Sequence, residues 1–117
     1  MELKLTKRTV DGIVAIECSG RIVLGEESSL LRDEVKKTIA DGAKRIVLNL
    51  GEVNYIDSTG LGTLVALHTT ALNAGATIKL ANLTKRIGDL LQVTKLLTVF
   101  EVHSSEYEAL EAFRSVA

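Results

Sequence analysis

Asp57-Ser58-Thr59-Gly60-Leu61-Gly62 places one carboxylate, two adjacent hydroxyls and two glycines in a single short run. It follows the apolar run Arg45 to Leu50, which reads as a buried strand, and opens a long apolar-patterned segment, Leu61 to Ala74, which reads as a helix. A strand, a turn and a helix N-terminus therefore meet at Asp57, Ser58 and Thr59. Two chemistries suit those residue types there. One is capping, in which a side-chain oxygen accepts a free N–H of the first turn. The other is reversible phosphorylation, in which a hydroxyl gains a group of about −1.5 to −2 charges. Capping accounts for any one of the three, but not for all three together with Gly60 and Gly62. Glycine in a helix costs up to about 1 kcal/mol relative to alanine, so the pair implies a close approach to the backbone. Spacing alone leaves both readings open.

Other chemistries find less support. Gly60-Leu61-Gly62 at a helix N-terminus suits an anion, yet neither Gly-x-x-x-x-Gly-Lys-Ser/Thr nor Gly-x-Gly-x-x-Gly occurs. Ser58 does not stand in Gly-x-Ser-x-Gly. The two histidines are His68 and His103. His68 falls ten residues along the helix, about 15 Å from Ser58 at 1.5 Å per residue. It shares a stripe with Leu61, Leu64 and Leu72, which predicts a half-buried packing role. No His or Cys spacing matches a metal site, and no metal or cofactor is expected. With no base near Ser58, the chain reads as a non-enzyme.

Composition narrows the partners. At 117 residues the chain reads as one domain spanning 1–117, long enough to bury about two-thirds of its unfolded surface. Hydrophobic residues make up 46% and charged residues 25%, an ordinary globular balance. Aromatics are 3%, too few to build a stacking platform for bases. Lys and Arg number 14 against 15 Asp and Glu, for a net charge of −1, which argues against nucleic acid. Lys36-Lys37 and Lys85-Arg86 read as solvated helix faces. The single cysteine, Cys18, sits in an apolar run and reads as a buried structural thiol suited to a reducing compartment. The N-terminus lacks a signal-peptide pattern, and no window approaches the roughly 20 apolar residues of a membrane span. Membrane insertion is not expected, and a cytoplasmic location is.

The elements that must position the loop follow from periodicity. Leu3 to Lys7 alternates as a half-exposed strand. Asp11-Gly12 signals a hairpin, and Ile13 to Ser19 forms its second strand, which Gly20 breaks before Arg21-Ile22-Val23-Leu24 leads to Gly25. A helix carries Leu31, Val35 and Ile39 on one face, with Glu26 and Glu27 at its start and Gly42 past its end. The strand Arg45 to Leu50 is continuously apolar, as for a central strand covered on both faces. Leu61, Leu64, Val65 and Leu72 line one face of the next helix, which Gly75 closes. A strand at Ala76 to Ala81 follows, and Thr84 caps a short helix with Ile87, Leu90 and Leu91. A last strand lies within Leu96 to Val102. Ser105 and Glu108 match a capping box, opening a helix with Tyr107, Leu110 and Phe113 on one side. The expected architecture is α/β: a mixed sheet of four to five strands with about four helices packed on it. In such sheets functional groups gather beyond strand C-termini, which again points to Asp57-Ser58-Thr59.

The chain resembles the STAS-domain anti-sigma factor antagonists (anti-anti-sigma factors) of bacteria. The resemblance rests on Val53-Asn54-Tyr55-Ile56-Asp57-Ser58-Thr59-Gly60-Leu61-Gly62, with support from Gly20-Arg21-Ile22, from Gly75 to Leu80, and from Ile87 to Leu91 followed by Leu96 to Phe100. It covers nearly the whole chain and implies the STAS fold.

It also implies a partner switch. Members with this motif bind an anti-sigma factor that is a GHKL-type serine kinase, and so free a sigma factor. The kinase phosphorylates the serine after the aspartate, here Ser58, and the complex separates; a PP2C-type phosphatase restores it. Ser58 is the expected acceptor by alignment, with Thr59 the second choice. The implied partner surface comprises Asp57, Ser58, Thr59, Gly60, Leu61, Gly25 and Glu26. The chain departs from the family where Val23-Leu24-Gly25-Glu26 replaces an aspartate followed by small residues, in a loop expected near the serine and its partner. The alternative within the family is a non-phosphorylated STAS subunit of a larger regulatory or lipid-transport complex.

Overall fold

The computed structural model describes residues 3–115. The elements run β1 (Leu3–Val10), β2 (Ile13–Ile22), α1 (Glu26–Ala40), β3 (Arg45–Ile56), α2 (Ser58–Asn73), β4 (Thr77–Ala81), α3 (Lys85–Val93), β5 (Glu101–His103) and α4 (Glu106–Arg114). The described strands form one sheet in the order β1-β2-β3-β4-β5. β1 and β2 are antiparallel, and every later pair is parallel. This is the mixed α/β architecture that the alternation of strands and helices predicts.

The hairpin turns where expected. Asp11 and Gly12 take φ of 52° and 78°, the double positive φ of a type I′ turn, whose twist matches the strands it joins. From there the chain is paired by burial. Ile16, Cys18, Ile46, Leu48, Leu50, Ile78 and Leu80 point to one face, where Leu31 and Val35 of α1, Leu61, Leu64 and Leu67 of α2, and Ile87 and Leu91 of α3 close over them. Their strand neighbours Ile13, Ala15, Val47 and Ala81 point to the other face, under Ala109, Leu110 and Phe113 of α4. β3 is thus covered on both sides, as its unbroken apolar run requires. Cys18 is fully buried, and burial pushes its thiol up to about 12, so it stays protonated and inert.

The α4 face also buries a charge. Lys79 is 6% exposed, salt-bridged to Glu101 and held 4.6 Å from the Phe113 ring centroid. The ammonium and, secondarily, His103 keep the Glu101 carboxyl below its ordinary value.

Several boundaries differ from expectation, each for a physical reason. Gly20 does not end β2. The strand continues to Ile22, and register shifts between Glu17 and Ser19 and between Gly20 and Arg21 absorb the irregularity. β3 does not stop at Leu50 but runs to Ile56, because β2 goes on pairing with it through Ile22–Ile56. β5 is only Glu101–His103; the apolar residues before it form the loop that buries Phe100. Leu72 is 56% exposed and Tyr107 68% exposed, so both leave the stripes assigned to them. Leu67 and Ala71 hold the α2 face instead. In α4, Glu108 N–H donates to the Ser105 hydroxyl at 3.1 Å, but the Glu108 carboxylate accepts from Ser104 rather than closing the reciprocal box.

The core assignment is testable on one helix. Leu64→Ala should cost about 2–5 kcal/mol of unfolding free energy, whereas Leu72→Ala should stay within about 0.5 kcal/mol, both by urea denaturation.

Candidate functional site

The long tail of β3 carries the chain past the end of β4, and Asp57 is its first residue outside the sheet. Asp57 is extended (φ −92°, ψ −177°) and caps α2. Its two carboxylate oxygens do different work. Oδ1 accepts the Gly60 N–H at 2.7 Å, the capping bond. Oδ2 accepts the Leu24 N–H at 2.9 Å, across to the loop between β2 and α1. The Asp57 N–H in turn donates to the Ile22 carbonyl at 3.3 Å. One residue therefore ties the end of β2, the following loop and the start of α2 together. The Leu24 and Gly60 N–H groups, in that order, hold the Asp57 carboxyl below its ordinary value.

The two glycines of the motif separate. A Cβ on Gly60 would lie 2.0 Å from the Ile22 carbonyl oxygen, so only glycine lets α2 seat against the end of β2. A Cβ on Gly62 would meet nothing within 4 Å. The close approach that the motif implies is thus made by the chain's own backbone at Gly60, and Gly62 has no such packing reason.

The loop from Val23 to Gly25 is held from its other side by α1. The Ser28 hydroxyl and N–H both donate to the Val23 carbonyl, at 2.7 and 3.0 Å. Leu24 is left 71% exposed beside Asp57. Gly25 is the N-cap of α1 with φ 106°, and Glu26 opens that helix on the surface.

Ser58 is the first residue of α2, exposed, and its hydroxyl has no hydrogen-bond partner among the described residues. Thr59 is exposed too. Gly60 is buried and Leu61 is 9% exposed. Of the residues singled out from sequence, Asp57, Ser58, Thr59, Gly25 and Glu26 share one surface, while Gly60 and Leu61 support it from beneath. Neither histidine joins them. His68 is half-buried with its ring edge-on to Phe100 at 5.4 Å, the packing role its stripe predicts, and His103 contacts Glu101 at 2.6 Å.

Two neighbours stand outside the site residues named from sequence, although Leu24 lies in the loop expected near the serine and Tyr55 in the motif that carries the resemblance. In the fold Tyr55 is 44% exposed, with the Arg21 guanidinium 5.5 Å from its ring centroid. The signal that would have found Tyr55 is its registry with Arg21 across β2 and β3, which needs both strands to be longer than periodicity shows.

Two outcomes check this geometry. Gly60→Ala should destabilise the fold by about 1–3 kcal/mol, as overpacking does, while Gly62→Ala should be neutral or stabilising by up to about 1 kcal/mol, both by thermal or urea unfolding. The second concerns pH. Because Asp57 has a lower pKa folded than unfolded, its contribution is complete above the unfolded value of about 4 and is lost as pH falls through the folded value. Urea titrations from pH 6 to pH 2 should therefore show stability falling more steeply below about pH 4 in the native chain than in Asp57→Asn.

Comparison with known proteins identifies the family and its fold. The family model of the STAS domain matches residues 4–109. A Bordetella bronchiseptica protein, BtrV, provisionally named an anti-sigma factor antagonist, is 26% identical over 113 residues, covering 97% of each chain. The anti-sigma-B factor antagonist of Bacillus subtilis is 26% identical over 102 residues, covering 87% of this chain and 92% of its own. The Bacillus cell fate determinant SpoIIAA, solved in a phosphorylated form, superposes with a TM-score of 0.72 at 19% identity, over 96% of this chain and 99% of its own. The anti-sigma factor antagonist SpoIIAA in its unphosphorylated form gives 0.79 at 20% identity, over 97% and 99%. With the family model spanning most of the chain, this protein belongs to the STAS domain family.

Proposed function

We propose that this chain is an anti-sigma factor antagonist that works as a phosphorylation-controlled partner switch. In this reading the unmodified protein binds an anti-sigma factor that is also a GHKL-type serine kinase, and so frees a sigma factor. Phosphorylation of Ser58 ends that binding, and a PP2C-type phosphatase restores it. The single observation that supports this best is the setting of Ser58: an exposed, unbonded hydroxyl on a helix N-terminus whose cap is already filled by Asp57. The serine is not needed for capping, so its hydroxyl is available to a kinase. The names of the relatives point the same way: two are called antagonists of anti-sigma factors, and SpoIIAA exists in a phosphorylated form.

The switch acts through charge at the surface. A phosphoserine at the first position of α2 faces the positive end of the helix dipole, so α2 need not melt. The new charge adjoins Asp57, whose carboxylate is already committed to Leu24 and Gly60. A partner seated on Leu24, Gly25, Glu26, Ser58 and Thr59 then meets the phosphate together with the Asp57 and Glu26 carboxylates in a partly dehydrated contact. An uncompensated buried charge costs several kcal/mol, and each 1.4 kcal/mol is tenfold in affinity.

The test is binding by variants. Ser58→Asp should bind the purified kinase about 100-fold or more weakly than the native chain, by calorimetry, while Ser58→Ala should keep native affinity and refuse phosphate. Equal affinity of the two variants would contradict the switch.

A further inference from the structure

Next to the switch loop the fold leaves a groove uncovered. The last pair between β3 and β4 is Asn49–Ala81, so β3 runs on from Leu50 to Ile56 with no strand on its β4 side. α3 lies along this tail. Between them opens a cavity of about 350 Å³, lined by Tyr55, Ile56, Ile87, Leu90, Val93 and Arg86. Its apolar wall is poorly covered: Val93 is 80% and Tyr55 44% exposed. Apolar groups left bare in a concave surface mark a binding site more often than scattered ones do.

The charges at the rim define what fits. Arg86 Nη1 donates to the Asn54 carbonyl at 3.2 Å, and Arg21 stands over Tyr55. Neither guanidinium has a carboxylate partner among the described residues. The one carboxylate on the wall, Asp89, is held by Lys85 at 2.9 Å. An apolar floor therefore carries one guanidinium without a carboxylate partner, Arg86, in its lining, while Arg21 stands on the β2 side of Tyr55. Arginine forks favour carboxylates, and Tyr and Arg are among the residues that carry most of the binding energy at protein contacts.

We propose that this groove binds a segment of a protein partner that sets a large apolar side chain against Leu90 and Val93 and a carboxylate against Arg86. The inference goes beyond the phosphorylation switch and does not require it, since Ser58 is outside the groove's lining.

The probe is a random peptide library displayed on phage and panned against the whole chain with Ser58 unmodified. Enriched peptides should pair Leu, Ile or Phe with Asp or Glu, and their amide shift changes should centre on Tyr55, Leu90 and Val93. Arg86→Glu and Val93→Asp should each weaken the selected peptide by at least about tenfold, with an unchanged melting temperature because both side chains are exposed. No enrichment, binders without acidic residues, or shifts centred elsewhere would overturn the proposal. So would a dimer in sedimentation equilibrium that Val93→Asp dissociates, because a second copy would then be the occupant. None of these outcomes bears on Ser58, so failure here and failure of the switch are separate results.

Discussion

The rest of the site depends on one carboxylate making two hydrogen bonds to two different segments. Asp57 receives Gly60 N–H on one oxygen and Leu24 N–H on the other. The first starts α2; the second fixes a loop more than thirty residues away in sequence. Because Gly60 has no Cβ, α2 can press directly on the Ile22 carbonyl that closes β2. Both contacts are short and specific, and together they decide where Leu24, Ser58 and Thr59 stand relative to one another. An aspartate suits this position because each of its two oxygens can accept from a different segment, whereas Ser, Thr and Asn each offer a single side-chain acceptor oxygen.

This arrangement also bears on how a phosphate would act. A serine that capped its own helix would have its side-chain oxygen engaged by a first-turn N–H before modification. Here the cap and the hydroxyl belong to different residues. In the proposed switch the fold survives modification, and the signal is a change of charge on an intact surface, read by whatever partner docks there. The proposed groove beside α3 does not include Ser58 in its lining.

Much of this was legible in the sequence, and the exceptions share a cause. The hairpin at Asp11-Gly12, the doubly covered strand from Arg45, the cap at Thr84 and the buried Cys18 follow from local rules of turn chemistry and periodicity, and each stands where those rules place it. The motif at Asp57 to Gly62 was found, but its capping residue could not be told from its neighbours, because Asp, Ser and Thr all cap. What failed was non-local. Gly20 and Leu50 read as strand ends because a glycine and the end of an apolar run usually are; pairing between β2 and β3 carries both strands further. Leu72 and Tyr107 fit their helical stripes by spacing, yet no opposing layer reaches them. The groove under Tyr55 was invisible for the same reason, since it exists only where β3 outruns β4.

The central claim is that Ser58 carries the signal. Intact-mass spectrometry of the chain after incubation with ATP and a lysate of its source, followed by peptide mapping, tests it most directly. The account predicts a gain of one phosphate on Ser58 that is absent from Ser58→Ala. A phosphate that maps to Thr59, or a chain held in a stable complex without modification, would contradict it.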